Sequence, residues 1–391
     1  MKTELRKSER LAWSSQPEKI ELVNAEGSFL YDSNGKRYID LVMGWCVGNF
    51  GWKNEKIMDA IREFSGPTYV YPEFEYRSWA ELADLLCRIT PGRMGKCFRT
   101  TGGTDAVETA IKVSALYTGR KKFLSVENSY HGNSLAALSI GAASSKDTYP
   151  KLTGCDKIAH PPEEGTLEKT ESYLKTKDYA AFILEPVMTH PRIVDLPADY
   201  LRAVRELCSK YGTLLVADEV AVGFGRTGKL FACEHSGIEP DIICLAKALS
   251  GGHAAIGAAL TTEEIGAKVE EEISAYPTYG WHPLSTQVSL AAMNYLLDNE
   301  KELLKNANSL SDFFRTRLKD MKFRNKQELS IKGLAVSVDV KEKDYAKEIV
   351  ECALEKGLVL EHHGSSLVMF PALTLKRETA VEAMDILMTC I

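Results

Sequence analysis

Asp218 and Lys247 have the residue types and the spacing for chemistry on a bound cofactor. Asp218 closes an apolar run at residues 213–217, and Lys247 lies inside a second one at 242–249. A charged lysine is costly to bury, so it either extends to solvent or serves as a nucleophilic amine. Parallel strands place functional side chains at their carboxyl ends. An acid that keeps a pyridine nitrogen protonated and a lysine that forms a Schiff base are the pair that pyridoxal 5'-phosphate (PLP) requires.

The surrounding pattern predicts an α/β fold. Between residues 78 and 260, helical segments alternate with short apolar runs, which implies helices on both faces of a mostly parallel sheet. This sheet with its helices would form a three-layer α/β/α large domain. The expected strands are 121–126, 180–184, 213–217, 242–245 and 256–260.

The two ends of the chain predict a smaller α+β domain. Residues 21–41 indicate an antiparallel sheet with a hairpin. The tail predicts strands at 331–340 and 366–370, and helices at 284–297, 301–321, 344–356 and after 376. We therefore expect an N-terminal part of the small domain at 1–54, a large cofactor-binding domain at 55–285, and a C-terminal small domain at 286–391.

Composition favours small-molecule chemistry. The chain has 391 residues, 45% of them apolar, and a net charge of −6, which disfavours nucleic acid and anionic membranes as partners. The first residues are polar and charged, and no apolar stretch approaches a membrane span, so we expect a cytoplasmic protein. The 9 cysteines are scattered without a CxxC pair, which predicts reduced thiols and neither a disulfide framework nor a zinc site.

Three further motifs could contribute to the site. A Gly-Gly-Thr turn at 102–104 opens a helix and could bind phosphate, or it could be a plain N-cap formed by Thr104. Tyr130 could stack on a pyridine ring and His131 could support Asp218, although such pairs more often only pack. Glu185 ends an apolar run and would lie on the same rim as Asp218, unless it is a surface cap.

Taken in order, these motifs resemble the class III aminotransferases of PLP fold type I, such as the ornithine, 4-aminobutyrate and glutamate-1-semialdehyde enzymes. The resemblance covers nearly the whole chain, and the order of the motifs makes it specific. The matching segments are TGGTDA at 101–106, YHG at 130–132, LEP at 184–186, DEV at 218–220, GFGRTG at 223–228, Lys247, and PTYGWHPL at 277–284.

The resemblance implies a role for each matching residue. Lys247 would bond to the cofactor and carry a proton, while Asp218 would pair with the ring nitrogen. Thr278 would reach the phosphate in a neighbouring subunit, so the resemblance also implies a homodimer with shared active sites. The remaining cofactor contacts would come from Gly103, Thr104, Tyr130, His131, Glu185 and Val220.

The chain departs from the family pattern around the substrate. Val368 replaces an arginine that grips a substrate carboxylate, and His190 replaces the glutamate that holds this arginine aside. Asn133 follows YHG where ornithine aminotransferase-like sequences have arginine, and Ala221 replaces a glutamine. Either another base such as Arg192 binds the carboxylate, or one substrate has no α-carboxylate. Further candidate substrate contacts are Trp45, Asn133 and Glu361, the last favouring a cationic substrate unless its loop is simply solvated.

We therefore predict a PLP-dependent aminotransferase that moves an amino group between an amine or amino acid and a 2-oxo acid or aldehyde in two half-reactions. The main alternative on the same fold is an isomerase, either an aminomutase or an amino-acid racemase, which needs no second substrate. A binding protein that has kept only the fold is disfavoured because Lys247 and Asp218 are both present. The adjacent pair His362 and His363 could suggest a metal, but no further ligand is indicated, and no metal site is predicted.

Overall fold

The computed structural model describes residues 20–141, 149–160, 164–273 and 277–391. The strands are β1 Leu22–Glu26, β2 Phe29–Asp32, β3 Arg37–Asp40, β4 Met94–Thr100, β5 Lys122–Val126, β6 Cys155–Ile158, β7 Tyr179–Leu184, β8 Val187–Met188, β9 Val194–Asp195, β10 Leu214–Asp218, β11 Ile242–Leu245, β12 Gly257–Thr262, β13 Glu328–Lys332, β14 Ala335–Asp339, β15 Leu358–Val359, β16 Glu361–His363 and β17 Ser366–Met369.

The helices are α1 Met43–Cys46, α2 Glu55–Arg62, α3 Arg77–Ile89, α4 Gly103–Thr118, α5 Leu135–Ile140, α6 Thr166–Leu174, α7 Ala198–Tyr211, α8 Glu263–Val269, α9 Pro283–Asp298, α10 Glu300–Asp320, α11 Lys343–Glu355 and α12 Arg377–Met388. Helix α1 is a single irregular turn, because Gly44 and Trp45 inside it have left-handed backbone angles. Two short 3₁₀ turns cover Ala232–His235 and Lys247–Ser250.

A 7-stranded sheet in the order β4-β12-β11-β10-β7-β5-β6 forms the centre of the molecule. Strands β11, β10, β7, β5 and β6 are parallel to one another, whereas β12 runs antiparallel to both β11 and β4. The carboxyl ends of the parallel strands therefore meet at one edge, and the reversal of β12 places the end of β4 at that edge too.

Alternation along the central strands covers both faces of this sheet. In β7, Ala181 and Ile183 pack in a core cluster with α4, while Phe182 and Leu184 pack in another cluster with α7. Successive side chains of a strand point to opposite faces, so a strand buried on both sides needs apolar residues throughout. All six residues of β7 are buried accordingly.

Smaller sheets form from both ends of the chain. The N-terminal strands β1, β2 and β3 are joined by β15 from the C-terminal part, which pairs in parallel with β3. A second 4-stranded sheet has the order β13-β14-β17-β16, and β8 and β9 form a 2-stranded ribbon. Strand β16, from the C-terminal part of the chain, ends at His363, which lines a cavity together with Lys247 of the large sheet's edge.

The predicted fold class is confirmed, since the chain is α/β with a mostly parallel central sheet. Some local predictions were wrong. The expected strand at 331–340 is a hairpin of β13 and β14, residues 361–363 form a strand instead of a loop, and β4 and β6 were not predicted. The three-part domain division stays a prediction.

The expectation that every cysteine is reduced is wrong. Cys352, at the end of α11, forms a disulfide with Cys390, which follows α12. The two residues are 38 positions apart, and only the packing of these helices brings them together. The other cysteines are free thiols. Within the described ranges, no helix is long and apolar enough to cross a membrane.

Candidate active site

Four neighbouring parallel strands deliver side chains to one edge of the central sheet. Asp218 is the last residue of β10, Glu185 directly follows β7, and Lys247 follows β11 by two positions. Tyr130 and His131 lie in the loop after β5. The strands stand side by side in the order β11, β10, β7, β5, which explains why residues so distant in sequence surround one cavity.

Lys247 has an unusual backbone. Its φ of +48° lies in the left-handed region, which is unfavourable for any residue with a side chain. Such a conformation costs about 1–3 kcal/mol and persists only when the surrounding structure enforces it. The lysine side chain is half-buried and lines two adjoining cavities, whereas its neighbours Ala246 and Ala248 are buried. The backbone strain is therefore located at the residue whose amine the sequence predicts to be reactive.

Asp218 is held in one orientation by two hydrogen-bonding contacts. Its Oδ2 lies 2.7 Å from Nδ1 of His131, and its Oδ1 accepts the backbone N–H of Val220 at 3.1 Å. Both side chains are buried. The other imidazole nitrogen of His131, Nε2, is buried and has no hydrogen-bond partner among the described residues. Because both carboxylate oxygens are engaged, Asp218 points in a fixed direction, as a group aimed at a ligand must.

Glu185 fixes the loop that carries Tyr130. Its carboxylate accepts the N–H of Tyr130 at 3.0 Å, and the N–H and hydroxyl of Thr189 at 3.2 and 3.1 Å. Burial raises the pKa of Glu185 to about 6, while His131 opposes this rise and the charge of Asp218 adds to it. Glu185 is thus a buried cavity wall and not a surface cap.

The start of α4 forms the opposite end of the cavity. A helix N-terminus presents free N–H groups and a positive dipole end, which together favour an anion. The N-cap is Gly102, so the simple cap by Thr104 is not what the structure shows. A Cβ at Gly103 would lie 2.7 Å from Cγ1 of Val220, so glycine is required for this close approach. Thr104 Oγ1 lies 3.3 Å from Oδ1 of Asn133.

The predicted cofactor residues other than Thr278 line one cavity of about 630 Å³. It has anion-binding N–H groups at one end, a buried carboxylate that can hold a pyridine nitrogen protonated, and a lysine amine. Those three groups match the phosphate, the ring nitrogen and the aldehyde of PLP. The lining includes Gly103, Thr104, Tyr130, His131, Glu185, Asp218, Val220 and Lys247.

A second cavity of about 400 Å³ adjoins the first and shares Tyr130, Thr189 and Lys247 with it. Four rings follow one another along its wall. Ring centroids are 6.0 Å apart for Tyr130 and His190, 4.6 Å for His190 and His363, and 5.0 Å for His363 and Trp45. The remaining lining residues are Cys46 and Phe370.

Some predicted site residues do not line either cavity. Arg192 pairs with Glu328 of β13 at 3.5 Å, so the structure directs this candidate carboxylate ligand away from the site. Glu361 lies on β16 opposite Val368 and lines neither cavity. Thr278 is exposed at the surface of this chain, and Asn133 contacts Thr104 at the cavity rim. Among the described residues, no group of three or more His, Cys, Asp or Glu could hold a metal ion.

Sequence reasoning missed several lining residues. His363 was noted only in a possible metal pair, and Cys46 and Phe370 were not considered, although all three line the second cavity. Thr189 was also missed, and its position four residues after Glu185 is the one signal that could have indicated it. The other three come from separate segments of the chain, so no local motif connects them.

Comparison with known proteins agrees with this geometry. Aminotransferase PigE of Serratia sp. (strain ATCC 39006) is 34% identical over 307 residues, which are 77% of this chain and 36% of that protein. The chain thus spans about a third of the length of that relative. A sequence profile of the family described as "Aminotransferase class-III" matches residues 12–391.

Solved transaminase structures share the fold. A transaminase from the marine bacterium Virgibacillus has a TM-score of 0.88 at 23% identity, covering 96% of this chain and 93% of that one. The ornithine aminotransferase of Toxoplasma gondii, crystallized with partial occupancy of PLP, has a TM-score of 0.89 at 23% identity, covering 98% and 92%. The omega transaminase of Pseudomonas jessenii in complex with PMP has a TM-score of 0.87 at 24% identity, covering 94% and 91%. With nearly all of its length matched by the family profile, the chain belongs to the class III aminotransferases.

Proposed function

We propose that this protein is a PLP-dependent aminotransferase that moves an amino group between an amine or amino acid and a 2-oxo acid or aldehyde. The observation that carries the proposal is the convergence of Lys247, Asp218 and the N-terminus of α4 on one cavity. Nothing in the described residues or in the comparisons favours an isomerase over transfer.

When bound, PLP supplies an aldehyde that bonds to amines and a ring that accepts electrons from the substrate carbon. The side chains present suit that group. The backbone N–H groups of Gly103 and Thr104 would bind the phosphate, and Asp218 would hold a proton at the ring nitrogen. Tyr130 and Val220 would flank the ring. Lys247 would bind the aldehyde and afterwards move a proton on the substrate through its free amine.

His131 has a positioning role in this proposal. Its Nδ1 contact fixes the carboxylate of Asp218, while the buried Nε2 finds no partner in the described part of the chain, and His131 lines the same cavity. Glu185 in turn holds the backbone of Tyr130, so the ring wall and the acid are oriented by separate hydrogen bonds. The catalytic groups therefore need little rearrangement when substrate arrives.

We also propose a homodimer with shared active sites. Thr278 is exposed and lies outside both cavities of its own chain, as expected for a residue that serves a second copy. Exposed aromatic rings cluster beside it, with Tyr279 66% exposed and 6.5 Å from Tyr69. A contiguous exposed apolar patch usually marks an interface. The other members of the patch are Tyr71 and Phe74.

The test is a half-reaction screen on protein reconstituted with PLP. Single amines and amino acids are added without any acceptor, and the visible absorbance of the bound cofactor is followed. Discharge of the absorbance by an amino donor, and its recovery with an oxo acid or aldehyde, would support transfer. Isomerisation of one substrate without a second would point to the isomerase, and a protein that takes up no cofactor would refute both.

A further inference from the structure

The second cavity has an unusual charge pattern for a site that handles amino compounds. Among the described residues lining the two cavities, Lys247 is the single lysine or arginine. Once that amine is engaged by a cofactor, the fixed cavity charges that remain belong to the carboxyl groups of Asp218 and Glu185. A substrate carboxylate placed here would thus lose its water and meet no other lysine or arginine among the described lining residues of this chain.

Cations near the cavity in the described part of the chain are engaged elsewhere. The buried Arg226, whose charge acts on Cys46, lines neither cavity and donates through its terminal nitrogens to Leu334, Pro371 and Asn49. Arg192 is turned toward Glu328, and Val368 is completely buried in an apolar cluster. Two residues of that cluster, Cys46 and Phe370, form part of the cavity wall. The part of the cavity wall that belongs to the same cluster as Val368 is therefore formed by side chains without a charge.

The two imidazoles do not supply the missing charge. His363 and His190 have ring centroids 4.6 Å apart, so protonating both would bring two like charges together. Burial lowers the pKa of His363 to about 4, with His190 and His362 contributing, and burial also lowers the pKa of His190. At neutral pH the wall from Trp45 to Tyr130 is thus four uncharged rings.

We propose that the second cavity binds the non-reacting part of a substrate that is apolar or aromatic and carries no carboxylate near the reacting carbon, that is, a primary amine or the corresponding aldehyde or ketone. Uncharged rings provide stacking and apolar contact to such a group, but they provide no ion pair to a carboxylate. The assignment of a reacting carbon rests on the proposed function, whereas the preference of the cavity for uncharged ligands can be measured by itself.

The experiment compares two unreactive ligands of the same shape, phenylacetamide and phenylacetate. Each is titrated into the PLP-reconstituted protein at neutral pH, and binding is followed by isothermal titration calorimetry. We expect the amide to bind at least about tenfold more tightly, because the carboxylate must be desolvated without a partner. Equal binding, tighter binding of phenylacetate, or binding of neither ligand would overturn the proposal.

Two arginine variants test whether the preference for the amide arises in the second cavity. His363→Arg places a cation in the cavity and is expected to raise phenylacetate affinity at least about tenfold, which would abolish the preference for the amide. His362→Arg is the matched control, since adjacent strand residues point to opposite faces and His362 lies outside the lining. The control should keep the preference for the amide. A similar gain in both variants would show that general surface charge, and not this cavity, controls binding, and would overturn the assignment.

His363→Phe provides a second, uncharged variant at the same position in case His363→Arg does not fold. It keeps a ring without adding charge, so the amide preference of the unmodified protein should persist; its loss would contradict the proposal. The two proposals fail separately. A protein that transfers amino groups yet prefers phenylacetate refutes the substrate inference alone, whereas one that takes up no cofactor refutes the proposed function, and with it the substrate assignment.

Discussion

The two adjoining cavities differ in how they are built. The first is formed by strand ends of one sheet and a helix N-terminus, and it contains buried, hydrogen-bonded ionisable groups. The second is formed by segments from distant parts of the chain, and apart from the shared Lys247 its wall consists of uncharged side chains. Under our proposals, the cavity on one side of Lys247 would hold protons and an anion, and the cavity on the other side would exclude charged groups.

This difference indicates which segments of the chain orient the cofactor-binding groups and which segments form the proposed substrate pocket. Groups that must be oriented to a fraction of an ångström lie at the ends of buried strands, whose positions are fixed by the core. The rings that we propose select the substrate lie on the short turn α1, on the loop after β8 and on β16. Substitutions in those segments can alter the substrate without disturbing the central sheet, as loops on rigid scaffolds generally allow.

The largest expected effect comes from Lys247→Ala. Removing the amine should lower the rate of amino transfer about 10³-fold or more, since both covalent and proton-transfer roles are lost. Phenylacetamide binding should persist because the rings remain. Rapid-mixing kinetics and calorimetry measure the two effects, and Lys210→Ala, at an exposed lysine paired with Glu171, is the control. Unchanged transfer in the Lys247 variant would exclude the proposed mechanism.

Asp218→Asn should come next, with transfer slowed about 10²-fold or more, because an amide cannot keep the ring nitrogen protonated. The asparagine can preserve the shape of the site, so the fold should be unaffected. Ligand binding in the second cavity should also be unchanged, which sharpens the contrast between the two regions. A shift in phenylacetamide affinity as large as the change in rate would show that the cavities are not independent.

A pair of glycine variants tests the anion-binding end. Gly103→Ala forces a Cβ to within 2.7 Å of Val220, whereas at Gly102 no atom lies within 4 Å of the added carbon. Overpacking of this kind costs about 1–3 kcal/mol, so Gly103→Ala should weaken PLP binding about tenfold. Gly102→Ala should change it much less. Equal losses, measured by cofactor titration, would show that the close contact with Val220 does not matter.

The smallest expected effect is on the free energy of unfolding, which should depend on pH with opposite signs for Glu185 in the first cavity and His363 in the second. Burial raises the pKa of Glu185 to about 6, so its contribution to stability is present at low pH and is lost as pH rises from its unfolded value of 4.5 through 6. Burial lowers the pKa of His363 to about 4, so its contribution is present above its unfolded value of 6.5 and is lost as pH falls through 4.

Denaturant unfolding of the cofactor-free protein between about pH 4.5 and 6 separates these contributions, each worth at most about 1 kcal/mol per pH unit. Relative to the parent protein, Glu185→Gln should make the stability rise more steeply with pH. His363→Phe should make it rise less steeply, or fall. Identical slopes in both variants and the parent would mean that neither group titrates differently in the folded protein.

The sequence predicted the parts of the molecule that are locally encoded. Central strands such as β7 and β10 are short apolar runs, and the residues after them were correctly expected at one rim. The strands β4 and β6 were missed because they lie at the two edges of the sheet, where polar residues are tolerated. In β4, Lys96 pairs with Glu270 on the surface, which breaks the apolar pattern.

What could not be predicted depends on long-range packing. The row of rings joins Trp45, His190 and His363 from three segments, and the disulfide joins Cys352 to Cys390 across two helices. Neither arrangement has a sequence period or a short motif. The turning away of Arg192 likewise follows from the position of Glu328 on β13, which belongs to another sheet.

The left-handed backbone of Lys247 has a consequence for how this position would evolve. Glycine adopts such angles freely, and asparagine does so more readily than lysine. Either residue would therefore make the folded protein more stable than lysine does at this position. A descendant that no longer used the amine would gain stability by that exchange. Lys53, Lys177 and Lys341 have similar angles, but among these four lysines Lys247 alone lines the two cavities. Replacement of this lysine in a relative would therefore remove the amine from the site while relieving backbone strain, and we would expect such a relative to have lost amino transfer.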